Sequence, residues 1–181
     1  INELYAFWKS FLLNMFEWIF TICIGFIAIL ISIKVEPLHN SAVINNPTES
    51  YPYTGETISN SLLFVIVIFL PCVFIGLLAL FYPKKIDLCL SYLSLAQCLF
   101  ITLLLTEILK VYVARPRPNY FHYCGYDKQK QMCTGSMKHQ KDAKVSFPSG
   151  HASISFCSAV WLSLFIQSFF NFTGEIWWIL L

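Results

Sequence analysis

The sequence contains few charged residues for its length. Lys, Arg, Asp and Glu make up 12% of the 181 residues, whereas hydrophobic residues make up 57%. A soluble globular domain usually has about 25% charged residues, so this composition argues against one. The hydrophobic residues also stand in long blocks rather than in a short alternation. We therefore predict an integral membrane protein.

Motifs for common cofactors are missing as well. The sequence has no glycine-rich nucleotide-binding loop and no pair of carboxylates suited to a metal. His122, Cys124, Cys133 and His139 share one polar segment, but their spacing matches no paired-ligand zinc pattern. We therefore predict no metal, no cofactor and no nucleic-acid partner.

The seven cysteines fall into two groups. Five lie within hydrophobic blocks and are predicted to be small buried hydrophobic residues: Cys23, Cys72, Cys89, Cys98 and Cys157. Cys124 and Cys133 share a polar loop, where they can form a disulfide if that loop faces an oxidising compartment. Because a disulfide depends on geometry, the sequence leaves this pairing open.

The hydrophobic blocks predict four membrane-spanning helices and the start of a fifth. The four cover about residues 11–33, 62–81, 88–109 and 152–170, and the fifth begins near Ile176. Each of the four can cross a hydrocarbon layer of about 30 Å. Pro71 is expected to kink the second helix. The predicted fold class is an all-α polytopic membrane helix bundle, with residues 1–181 in a single domain.

The distribution of lysines suggests a topology. The short loop with Lys84 and Lys85 is placed in the cytoplasm by the positive-inside rule. Residues 110–149 then face the lumen or the outside, although this loop holds eight of the twelve Lys and Arg residues. Its lysines either attract an anionic substrate or form an ordinary solvated face. The sequon at Asn171 would be cytoplasmic, and a sugar there would contradict this topology.

The stretch Pro148-Ser149-Gly150-His151 stands immediately before the last long hydrophobic block. Ser149 is a favourable N-cap, and the first turn of a helix has backbone N–H groups free to bind an anion. Gly150 allows a ligand to approach the backbone closely. His151 can donate or accept a proton near neutral pH.

Lys110 directly follows the third predicted helix, and Arg117 stands seven residues later. Pro116 and Pro118 fix the backbone on either side of Arg117. Arg suits phosphate because its planar fork donates two parallel hydrogen bonds, and Lys provides a compact charge. The simpler alternative is a set of interfacial cations, which is also the favoured interpretation of Arg115.

The pattern Lys110-x6-Arg117-Pro118, followed by Pro148-Ser149-Gly150-His151, resembles the first two motifs of the type 2 phosphatidic acid phosphatase superfamily. Within it, the chain most resembles the eukaryotic lipid phosphate phosphatases. The resemblance implies a six-helix membrane enzyme that removes phosphate from lipid phosphates without a metal. It implies that Lys110 and Arg117 bind the phosphate, that Ser149 and Gly150 provide hydrogen bonds, and that His151 is the general acid.

The third motif of that family, Ser-Arg-x5-His-x3-Asp, provides the nucleophilic histidine and does not occur in these residues. We therefore expect a fragment that stops before this motif and is inactive by itself. Two alternatives remain: a non-catalytic membrane relative that acts as a scaffold or in signalling, and a lipid phosphotransferase of the same fold. The sequence identifies neither the lipid, nor the membrane (plasma or internal), nor the oligomeric state.

Overall fold

Long apolar helices dominate the structure. The computed structural model describes residues 2–38, 47–52, 55 and 57–170. Within these ranges, four helical segments are long and apolar enough to cross a membrane: Met15–Lys34 (α2), Asn60–Phe81, Leu88–Val113 (α5) and Gly150–Phe170 (α8). The predicted all-α membrane bundle is thus confirmed, and the protein is an integral membrane protein. The fifth predicted helix and Asn171 lie outside the described residues.

Two of the predicted boundaries were wrong by about one turn. The first membrane helix begins at Met15 instead of residue 11, and a separate helix that was not predicted, α1 (Asn2–Leu13), precedes it. Asn14 separates the two helices, and its side-chain amide donates to the Ser10 carbonyl at 2.8 Å. At its other boundary, α5 continues past residue 109 because the backbone turns into the left-handed region only at Ala114, with φ 46°.

The second membrane segment contains an irregular turn before Pro71. It consists of α3 (Asn60–Phe64), a π-helical turn (Val65–Phe69) and α4 (Leu70–Phe81). Pro71 has no N–H to donate to the carbonyl of Val67, four residues earlier. The Ser158 hydroxyl of α8 donates to that carbonyl instead, at 2.9 Å. The proline therefore creates a polar contact between two helices, whereas the predicted kink stays a prediction.

Helix α5 lies at the centre of the bundle and packs against α2, α4 and α8. Leu95 and Leu99 of α5 form a buried core with Ile75 of α4. Gly25 of α2 lies against Phe100, where a Cβ would come within 3.1 Å of the aromatic ring. The absence of a side chain therefore lets α2 approach α5 closely.

The cysteines of the hydrophobic blocks differ in their exposure. Cys89 is buried as predicted, whereas Cys72, Cys98 and Cys157 are partly exposed. The prediction is wrong for Cys23, which is exposed because it lies on the outward face of α2. The thiols of Cys98 and Cys157 lie 2.8 Å apart, where α5 contacts α8.

The polar loop between α5 and α8 has structure of its own. It contains α6 (Tyr120–Tyr123), a hairpin of β1 (Tyr126–Asp127) and β2 (Met132–Cys133), and α7 (Met137–Asp142). Cys124 and Cys133 form a disulfide with their Cα atoms 5.3 Å apart, which resolves the pairing that the sequence left open. Tyr120, Cys124 and Ala143 form a small buried core. The loop is therefore a compact cap.

The connection between α2 and α3 contacts the start of this cap. The backbone N–H of Leu38 donates to the Val111 carbonyl at 2.9 Å, and that of Tyr51 donates to the Pro118 carbonyl at 3.0 Å. Burial raises the pKa of the Tyr120 phenol, and the Glu49 carboxylate raises it further. Residues 47–52 thus lie beside the segment that carries Arg117.

We predict that Ser158→Ala destabilises the protein by about 1 kcal/mol, because the Val67 carbonyl loses its donor in a buried position. The melting temperature in detergent should fall by about 2–4 °C. The matched control is Ser163→Ala, since Ser163 donates only within its own helix, to the Ala159 carbonyl at 2.9 Å. Equal melting temperatures for the two variants would contradict the interhelical role.

Candidate active site

Helices α5 and α8 run in opposite directions, and this brings the two sequence motifs together. Along their contact, Cys98 of α5 faces Cys157 of α8, and the Trp161 indole donates to the Ser94 hydroxyl at 3.2 Å. Residue numbers rise along one helix as they fall along the other. The end of α5, with Lys110, therefore meets the start of α8, with Gly150.

Lys110 lies directly against the first residue of α8. Its Nζ atom is 3.3 Å from the position that a Cβ on Gly150 would occupy. The same Nζ donates to Oε1 of Glu107 at 2.7 Å, one turn earlier on α5. Glu107 is buried, with 8% of the residue exposed. The ammonium group is thus held between a buried carboxylate and the start of a helix.

Ser149 caps α8 as predicted. Its Oγ accepts a hydrogen bond from the Ala152 N–H at 3.3 Å, and its carbonyl accepts one from Ser153 at 3.0 Å. The N–H groups of Gly150 and His151 belong to the first turn, where the helix itself provides no acceptor. Together with the helix dipole, these groups give the start of α8 a partial positive charge that suits an anion.

The His151 ring contacts the segment before α3. Its Nε2 atom lies 3.1 Å from the backbone carbonyl oxygen of Ile58. Because a carbonyl can only accept, Nε2 carries the hydrogen and donates it. The contact fixes the orientation of the ring, which belongs to the second residue of α8.

Arg117 is held by the segment that leads from α7 to α8. Its backbone N–H donates to the Ala143 carbonyl at 2.8 Å, and its side-chain Nε donates to the Asp142 carbonyl at 2.8 Å. The guanidinium carbon lies 5.6 Å from the centre of the Tyr123 ring. The contact to Asp142 uses Nε and does not involve the four N–H groups on the two terminal nitrogens.

The backbone on either side of Arg117 is also fixed. The Ser146 N–H donates to the Arg115 carbonyl at 3.0 Å, and the Ser146 hydroxyl donates to the Pro116 carbonyl at 3.0 Å. The tail of the first motif is therefore joined to the segment just before the second. Lys110 contacts the second motif directly, whereas Arg117 is connected to it through this loop.

Several contacts of the site were not predicted. Glu107 precedes Lys110 by three residues on one helix, a spacing that typically places two side chains side by side and could have identified it. The sequence does not indicate that the backbone carbonyls of Ile58 and Asp142 accept hydrogen bonds, because every residue type has such a carbonyl. Contacts of this kind depend on how distant segments pack.

Two other polar residues of the loop have contacts within the protein. Asp127 Oδ1 accepts from the Gln129 N–H at 2.8 Å within a turn. Lys141, interpreted as solvated or as attracting substrate, donates to the Ser32 carbonyl at 2.6 Å, near the end of α2.

The zinc alternative loses two of its ligands, because the thiols of Cys124 and Cys133 are joined in the disulfide. Within the residues that the structure describes, no group of three or more His, Cys, Asp or Glu side chains is arranged to hold a metal ion.

Comparison with known proteins identifies the family. Residues 91–181, half of the chain, match the PAP2 superfamily, and this range contains both motifs. The chain belongs to the PAP2 superfamily. No solved structure gave a significant match.

Three relatives show how similar the chain is to known proteins. It is 29% identical to "Probable lipid phosphate phosphatase 4" of Arabidopsis thaliana over 171 residues, which cover 88% of the chain and 54% of the relative. It is 30% identical to "Lipid phosphate phosphatase 2" of the same plant, covering 85% of the chain and 56% of the relative. A PA-phosphatase related-family protein of Dictyostelium discoideum is 34% identical, with coverages of 74% and 46%. The chain thus spans about half the length of these relatives.

We predict that Gly150→Ala weakens anion binding at the start of α8. The added methyl group would lie 3.3 Å from Lys110 Nζ, so the ammonium must move away by a few tenths of an ångström. The dissociation constant for orthovanadate, measured from its effect on the melting temperature, should rise about threefold to tenfold. The control is Gly76→Ala on α4, where a Cβ would meet the Tyr92 hydroxyl at 3.5 Å, an ordinary contact. Unchanged vanadate binding in Gly150→Ala would contradict the prediction.

Proposed function

We propose that this chain is part of a lipid phosphate phosphatase that removes phosphate from phosphatidic acid or a related lipid without a metal. The names of the relatives support the reaction class. The observation that carries the proposal is the position of the Lys110 ammonium, which lies against Gly150 at the start of α8. A cation, free backbone N–H groups and the imidazole of His151 are thus combined at one helix end.

These groups meet the main requirements of phosphoryl transfer. That reaction depends chiefly on positioning the phosphoryl group and stabilising the charge on its oxygens. In the proposed mechanism, Lys110 and Arg117 bind the phosphate oxygens, and Ser149 and Gly150 donate hydrogen bonds. The prolines and the loop contacts that fix Arg117 reduce the entropy lost on binding.

Two proton-coupled steps complete the proposed reaction. A histidine of the family's third motif attacks phosphorus and forms a P–N bond, while the bond from phosphorus to the lipid oxygen breaks. His151 donates its proton to the leaving lipid oxygen, which departs as an alcohol. Water then attacks phosphorus and gives a proton to His151, the P–N bond breaks, and inorganic phosphate leaves. We expect the third motif in the remainder of the full-length protein.

We place this site at the lumenal or extracellular surface of the membrane. The disulfide supports this side, because disulfides persist in oxidising compartments and this one lies in the loop between Lys110 and Gly150. The opposite end of the bundle carries the Lys84–Lys85 turn, where Lys85 Nζ is 4.6 Å from the ring centre of Phe169 near the end of α8. Lysines at that end fit a cytoplasmic surface.

In the full-length protein, we predict that His151→Ala lowers phosphatidic acid phosphatase activity by about 10²-fold or more, because the leaving oxygen loses its proton donor. Released inorganic phosphate measures the rate, and size-exclusion chromatography in detergent checks folding. His122→Ala, which removes an exposed histidine of the same loop, is the control and should keep its activity. Near-normal turnover by a folded His151→Ala variant would refute the assigned role.

We also predict that EDTA leaves the activity of the full-length protein unchanged, because the cationic side chains and backbone N–H groups provide the charge stabilisation. Strict dependence on added magnesium would contradict the mechanism. Analysis of the products separates hydrolysis from headgroup transfer, since a phosphotransferase would form a new phospholipid instead of inorganic phosphate. A full-length protein with neither product would favour the scaffold alternative.

A further inference from the structure

Glu107 is a buried acidic residue next to the cation of the site. The side chains of Lys110 and Glu107 are 19% and 11% exposed, and their charged atoms are 2.7 Å apart. A carboxylate buried within a membrane helix bundle is costly unless it is paired. The proposed reaction gives Glu107 no chemical step, so its position calls for another explanation.

The electrostatics around Lys110 explain the position of Glu107. Nζ lies beside Gly150, at the start of α8, where the helix dipole is positive. An ammonium group in that position is repelled by the helix, and its flexible stem would allow it to move away. The Glu107 carboxylate is on the same helix as Lys110, one turn earlier, so it offsets this repulsion whether or not a ligand is bound.

We propose that Glu107 is a positioning residue that holds the Lys110 ammonium against the start of α8, ready to meet a phosphate group. The inference rests on the proposed function, because it takes Lys110 as a phosphate ligand. An ammonium group has three N–H donors. One donates to Glu107, and the other two are available to phosphate oxygens.

A negative charge beside a phosphate site also has an opposite effect, because it repels the phosphate. The two effects predict different signs when the charge is removed. If repulsion dominated, a neutral residue at position 107 would lower KM. If positioning dominates, KM rises, and a residue that still accepts a hydrogen bond from Lys110 retains part of the effect.

The experiment compares two variants of the full-length protein in mixed micelles of phosphatidic acid. Glu107→Gln keeps an acceptor for Lys110, and Glu107→Leu removes both the acceptor and the charge. We expect KM to rise about threefold in Glu107→Gln and about tenfold in Glu107→Leu, with a smaller change in kcat, because the lost interaction is chiefly with the bound phosphate. The control is Thr106→Val, which alters a neighbouring buried residue of α5 and should leave KM within about twofold.

A KM near the wild-type value in a folded Glu107→Leu variant would overturn the proposal. A KM below the wild-type value in Glu107→Gln would also overturn the proposal. This variant provides the test if Glu107→Leu does not fold. A purely structural role would lower the melting temperature without this graded order of KM values.

Vanadate binding separates this inference from the proposed function. If the wild-type protein hydrolyses no lipid phosphate, the proposed function fails, and the increase in melting temperature with orthovanadate then tests Glu107 alone. A clear increase in the wild type that is reduced in Glu107→Gln and in folded Glu107→Leu supports the positioning role. Equal increases, or no increase in the wild type, contradict it.

Discussion

The antiparallel packing of α5 against α8 is the constraint on which the site depends. Lys110 and Gly150 are forty positions apart in the sequence, and they meet because one helix ends where the other begins. The same contact continues into the bundle through Cys98 and Cys157. A lysine near the end of an isolated membrane helix would extend toward water or lipid headgroups. The neighbouring helix instead places it against the start of α8, where we propose that phosphate binds.

The cap between the two helices fixes the position of Arg117. Its disulfide and its small core make it compact, and its backbone contacts fix the segment from Arg115 to Arg117. A flexible connection of this length would leave Arg117 free to sample many positions, and binding would then cost conformational entropy. The loop is more basic than the positive-inside rule predicts for the lumenal or extracellular side that we propose. Some of its cations make contacts within the protein. Lys141, for example, interacts with the end of α2.

Two buried polar groups of the bundle are paired, one between helices and one within α5. The Val67 carbonyl, which Pro71 leaves without its usual helical donor, accepts from Ser158, and Glu107 pairs with Lys110. Unpaired polar groups are costly in a membrane interior, so each such residue restricts how its helix can pack. In this protein, the proline of the second membrane segment therefore marks a contact that orients this segment against α8.

The sequence by itself determined the membrane class, the four described spans, the N-cap at Ser149 and the family, because long apolar runs and short motifs are local properties of the chain. It did not determine the boundary at Ala114, the exposure of Cys23 or the disulfide, since these depend on backbone geometry and on which helix faces are covered. Only the tertiary structure placed Nζ of Lys110 beside Gly150 and Nε2 of His151 at the Ile58 carbonyl. Such contacts join segments far apart in the chain, and a backbone carbonyl has no residue-type signature, so packing alone decided them.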